Sequence, residues 1–161
     1  MLGLGGCSSQ PGETKIIDVT PLVEQGRLDE AAAEITRAMA EHPNHPGLLY
    51  NLAAIQHWQG KLDTALRTLE RALQLAPQDD GIQLLMVDLL IESGDPQKAW
   101  DVFHGMSEAK RREARPQYTL GIINSRLGNW TNAENCFRAA AGLGETSGAA
   151  KAALAFVTLK Q

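Results

Sequence analysis

The sequence predicts an all-α protein: four helix–turn–helix hairpins in tandem, with one more helix capping the far end. Three observations predict it. Gly26, Gly60, Gly94 and Gly128 stand 34 residues apart. Five residues after each comes an alanine: Ala31, Ala65, Ala99 and Ala133. Four residues later comes a large apolar side chain: Ile35, Leu69, Phe103 and Phe137. A period of this length marks a repeat array, because a single hairpin cannot bury its own apolar face and must stack on neighbours. Such arrays present long binding surfaces.

The first hairpin occupies residues 14–45. Pro21 breaks its first helix; Thr20 is the expected N-cap with Pro21 at the first helical position, so that helix should run about two turns. The second hairpin, 46–79, gives the pattern most fully. Leu49, Leu52, Ala53 and Ile55 fall at helical spacing. Gly60 can end that helix in a left-handed conformation. A second helix begins near Leu62 and Asp63, and Pro77 stops it. Small Ala65 lets the two axes approach and Leu69 fills the space beside it. The third hairpin, 80–113, keeps Val87, Leu90, Ala99 and Phe103. Gly105 should end its second helix early, and Ser107 should cap a short basic helix reaching Arg115 before Pro116. The fourth, 114–146, keeps Leu120, Gly121, Trp130, Ala133, Phe137 and Ala140. Residues 147–160 read as the capping helix, with Ala150, Leu154 and Val157 on the face that covers the fourth hairpin.

These residues resemble the tetratricopeptide repeat (TPR) family over roughly residues 14–161. The resemblance implies one TPR domain over that span, wound as a right-handed superhelix. Gln56 departs from the family pattern, where a tyrosine is usual. The resemblance also implies a groove lined by fixed positions on the first helix of each repeat. Those positions carry Tyr50, Asn51, Ala54, His57 and Trp58 in the second repeat. They carry Leu84, Asp88 and Ile91 in the third, and Tyr118, Ile122 and Arg126 in the fourth. Tyr50, Trp58 and Tyr118 are the expected anchors, since aromatics dominate interface energetics. Adaptors that grip carboxyl-terminal tails need Lys and Asn on successive helices, and here only Asn51 fits. The mixture of aromatic, aliphatic and scattered charged groups suits an apolar or amphipathic segment of a partner protein.

Residues 1–13 read as a separate segment. Leu4-Gly5-Gly6-Cys7 resembles a bacterial lipobox, and Ser8 to Gly12 resembles a flexible tether. Small residues before the cysteine would admit the signal peptidase, and the Cys7 thiol would take the lipid. A signal peptide needs a basic start and a longer apolar run than six residues supply, so the expected start lies upstream. By resemblance to the sorting rule, Ser8 in place of Asp directs the protein to the outer membrane.

Composition excludes other classes. Hydrophobic content is 43% and net charge −4, ordinary for a folded chain of 161 residues. The dense basic run Lys110, Arg111, Arg112, Arg115 is diluted by Glu108 and Glu113, and no aromatic platform accompanies it, so nucleic acid is not an expected partner. His42 and His45 lie on an inter-repeat turn beside Pro43 and Pro46 with no further ligands near, so no metal or other cofactor is expected. Cys136 reads as a small buried hydrophobe. No nucleotide loop, serine elbow or zinc-protease helix occurs, and no enzyme is expected.

A TPR array behind a lipobox-like cysteine resembles the TPR lipoproteins of pilus and secretion assembly, of the Tad/Flp or type IV pilotin kind. That resemblance implies a non-enzymatic scaffold tethered by lipid on Cys7 to the periplasmic face of the outer membrane. Its groove would engage a secretin or another assembly subunit. The alternative is a cytoplasmic TPR adaptor or chaperone for a secreted or regulatory protein, with Cys7 a free thiol.

Overall fold

The structure, a computed structural model, describes residues 17–144 and 148–159. Expectations on residues 1–16, Ser147 and Lys160, including lipidated Cys7, lie outside the described residues. Ten helices and no strand occur among the described residues. They are α1 (Thr20–Glu24), α2 (Leu28–Glu41), α3 (Pro46–Trp58), α4 (Leu62–Leu75), α5 (Asp80–Glu92), α6 (Pro96–Gly105), α7 (Glu108–Arg111), α8 (Ala114–Arg126), α9 (Trp130–Gly142) and α10 (Ala149–Thr158). Two compact units result, Met1–Ile82 and Gln83–Gln161, with the division inside α5.

One turn closes all four repeats. Gly26, Gly60, Gly94 and Gly128 have φ of 72°, 76°, 83° and 78°, a left-handed conformation open to glycine at no Cβ cost. At Gly60 the Gly60 N–H donates to the His57 carbonyl at 2.8 Å, and the Lys61 N–H to the Gln56 carbonyl at 2.8 Å. The same bond pair recurs at Gly26, Gly94 and Gly128. Each is a Schellman closure, satisfying carbonyls the helix end would otherwise leave orphaned.

In the first unit α1 packs on α2, α2 on α3, and α3 on α4. Val19, Ala31, Ile35, Leu48 and Ile55 form a buried cluster, flanked by Leu22, Leu28, Met39 and Trp58. Leu49 and Leu69 are fully buried, each stabilising the fold by about 1.5–3 kcal/mol. Gln56, at the position where tyrosine is usual, accepts a hydrogen bond from the buried Thr68 hydroxyl at 2.8 Å and so ties α3 to α4. The N-cap of α1 is Val19 rather than Thr20, which is itself the first helical residue. The Asp18 carboxylate takes the Thr20 N–H at 3.1 Å, so the acceptor comes from one residue before the cap.

In the second unit α6 and α7 pack on α8, α8 on α9, and α9 on α10. Asp95 caps α6 by accepting the Lys98 N–H at 3.1 Å, and Gly105 ends that helix as expected. Ser107 caps α7, accepting the Lys110 N–H at 3.2 Å. That short helix stops at Arg111, not Arg115. Pro116 is buried inside the first turn of α8, where a missing N–H costs nothing, so it starts a helix instead of ending one. Gly121 on α8 touches the Phe137 ring on α9 so closely that a Cβ there would fall 2.5 Å from a ring carbon. The capping helix is α10; Ala150 and Val157 are buried and Leu154 half-buried, the face the sequence assigned.

Candidate functional site

The expected groove positions fall in both units, and each set is described within its own unit. In the first unit they lie on α3. Pro46 opens this helix, and the His45 ring caps it, with Nδ1 accepting the Leu48 N–H at 3.3 Å. His45 is thus occupied in helix capping. Tyr50, Asn51 and His57 are half-buried, while Ala54 is only 5% exposed and offers little contact surface. Trp58 is half-buried because part of its ring packs on the Val19, Ile35 and Ile55 cluster.

In the second unit the positions lie on α5 and α8. Leu84 is 7% exposed and Ile91 half-buried on α5. Tyr118 and Ile122 on α8 are half-buried and pack against Ala133, Phe137 and Val157. The Tyr118 and Phe137 rings sit 5.5 Å apart at 51°, a tilted pair that holds the tyrosine in one place. Arg126 is exposed at the end of α8. Asp88 lies between the two helices: Arg115 Nη2 donates to one carboxylate oxygen at 2.6 Å, and the Thr119 hydroxyl lies 3.5 Å from the other. Arg115 is half-exposed, so this bridge presents charge on the two helices that carry half-buried Ile91, Tyr118 and Ile122, while Leu84 is buried.

Arg115 was assigned by sequence to the short basic helix, and its link to Asp88 spans 27 residues, too far for local reading. Two others of the basic run are paired locally, Lys110 with Glu113 at 2.7 Å and Arg112 with Glu108. Phe156 was also missed. It stands 34 residues after Ile122, and Ala152 and Leu159 stand 34 after Tyr118 and Ser125, so the repeat register continued into α10 would have found them. Phe156 is 54% exposed and Leu159 is 87% exposed. Cys136 is half-buried, and burial pushes its thiol pKa up, which keeps it protonated and unreactive near neutrality.

The tetratricopeptide repeat family model matches residues 22–72 and 59–123. MamA from Desulfovibrio magneticus RS-1, from residue 41 to its end, superposes with a TM-score of 0.80 at 18% identity, over 87% of this chain and 79% of that one. A tetratricopeptide repeat protein from Parabacteroides merdae superposes with a TM-score of 0.73 at 27% identity, over 85% of this chain and 55% of that one. A stretch of 59 residues is 42% identical to the human protein O-mannosyl-transferase TMTC2, covering 36% of this chain but only 7% of that protein's length. The periodic glycines, the matched family model over more than half the residues and the superposed helices agree: this chain belongs to the tetratricopeptide repeat family.

Proposed function

We propose that this chain is a non-enzymatic scaffold for protein–protein interaction, and that the first helices of its repeats hold an apolar or amphipathic segment of a partner. The TPR fold is a protein-interaction fold. The observation that carries the finer reading is the α5–α8 face. There the Asp88–Arg115 bridge joins α5 to α8, the two helices that also carry half-buried Ile91, Tyr118 and Ile122. Aliphatic and aromatic groups supply contact area, and the bridging charges would set a segment's direction. The double variant Trp58→Ala, Tyr118→Ala tests it. Helical circular dichroism should persist while capture of protein partners from an envelope extract falls. Unchanged capture with intact helicity would remove the groove from the proposal.

We further propose that lipid on Cys7 tethers the array at the periplasmic face of the outer membrane. There it would assist a pilus or secretion machine by engaging a secretin or another assembly subunit. Leu4-Gly5-Gly6-Cys7 supports this reading. No helix among the described residues is long and apolar enough to cross a membrane. Lipid labelling of the full gene with its upstream region, beside Cys7→Ser, decides it. Label lost in the variant supports the tether; no label in either moves the protein to the adaptor reading.

A further inference from the structure

The helices that open the second and third repeats are capped from the same register position by different chemistry. His45 stands before α3, and Asp79, 34 residues on, stands before α5. Asp79 Oδ1 accepts the Gly81 N–H at 2.9 Å and the Ile82 N–H at 3.0 Å. His45 Nδ1 accepts the Leu48 N–H at 3.3 Å, a donor it shares with the His45 carbonyl at 3.1 Å. The ring is half-buried over the first turn of α3, so close that a Cβ on Gly47 would fall 3.0 Å from its Cε1. A backbone N–H donates only to a ring nitrogen that carries no proton. This cap therefore exists with Nδ1 bare and the ring proton on Nε2.

We propose that His45 is a pH-sensitive latch on the start of α3, closed by the neutral ring and opened by its protonation. A proton on Nδ1 sets donor against donor at Leu48. It also puts a positive charge at the positive end of a helix of 13 residues. The first turn of α3 carries no acidic residue to offset that charge. The ionisable groups on the adjoining turns and helix ends are Glu41 and His42 on the α2 side, and Arg71, Asp79 and Asp80 on the α4 side. Among the described residues none of them forms an ion pair or hydrogen bond with the His45 ring. The cap therefore contributes stability above the ordinary imidazole range, about pH 6.5, and loses it as pH falls through that range. A carboxylate cap keeps its acceptor down to about pH 4. Between the two ranges α5 stays capped while the start of α3 loosens. Tyr50 begins the next turn of α3, and the step from a loosened turn to a weaker hold on a partner rests on the groove reading above.

The test is amide hydrogen exchange of the full chain by NMR, corrected for the intrinsic rate at each pH. From about pH 7.5 to about pH 5.5, across the imidazole range, protection of Leu48 and Leu49 should fall about three- to tenfold in wild type. In His45→Asp, whose carboxylate keeps an acceptor over that range, protection should hold within about twofold. Ile82, on its carboxylate cap, should hold in both proteins. Ring-nitrogen NMR at the higher pH should place the His45 proton on Nε2. Leu48 protection that ignores pH in wild type, an equal fall in His45→Asp, or a ring proton on Nδ1 overturns the proposal. Should His45→Asp fail to fold, His45→Asn supplies an uncharged acceptor and is held to the same outcomes. A fall in Leu48 protection with partner capture unchanged supports the latch and removes the groove step alone.

Discussion

The second and fourth hairpins fill the same register positions with different pairs. In α3 and α4 the pair is Ala53 and Leu69; in α8 and α9 it is Gly121 and Phe137. All four are buried. The fourth hairpin gives up a methyl group on one helix and gains a ring on the other. The cost of that exchange is visible in the space a Cβ at Gly121 would need, which the Phe137 ring already occupies. Volume at this seam is conserved across the pair and not at each position. A pattern that scores single residues would rank Gly121 as a weak helix former, yet here it is the residue the ring demands.

The largest break is Phe137→Ala. It removes a ring that Tyr118, Ile122 and Gly121 all surround, and should cost about 3–5 kcal/mol by urea denaturation. Next, Gly121→Ala should destabilise by about 1–3 kcal/mol through overpacking, despite alanine's better helix propensity. The comparison is sharpened by Gly121→Ala with Phe137→Leu, which recreates the second hairpin's pair. The double variant should recover part of the loss, a coupling of about 1 kcal/mol or more in a double-mutant cycle. Additivity of the two losses would show that the seams are not interchangeable. Smaller still, Gly60→Ala and Gly128→Ala should cost about 1 kcal/mol each and equally, because both hairpins share one turn.

The smallest effect expected is electrostatic. Hydrogen bonds from Lys98 hold the Asp95 carboxyl below the ordinary aspartate range. A depressed carboxylate pKa contributes stability above the unfolded-state value, and that contribution is lost as pH falls through the folded-state value. The melting-temperature advantage of wild type over Asp95→Asn should therefore be fullest above the aspartate range and shrink as pH falls through it. A difference between the two proteins that grows as pH falls would contradict this.

Much of the architecture was legible because period and local chemistry coincide. The four turn glycines, the start of α4 at Leu62, the end of α6 at Gly105 and the Ser107 cap all depend on bonds within a few residues. The failures are of two kinds, misread helix ends and contacts between separate helices. Val19 replaces Thr20 as cap because Asp18 reaches forward to the first turn. Pro116 reads as a stop unless one sees that Arg111 has already ended α7. The Asp88–Arg115 bridge and the Gly121–Phe137 contact join separate helices, and periodicity says which face a residue takes but not what it meets there. Asn124 illustrates the limit further. It is 1% exposed, and its amide nitrogen donates to the Leu120 carbonyl at 2.9 Å, a burial that its polar identity conceals.

The shared turn has a consequence for inheritance. Each closure is made by bonds between residues at most five positions apart, and each returns the chain to the same phase of a 34-residue cycle. A segment copied or excised from one such glycine to the next leaves an intact closure at the junction. Unequal crossing-over within the gene can therefore lengthen or shorten the encoded array in whole steps, with no new turn to be invented at the seam.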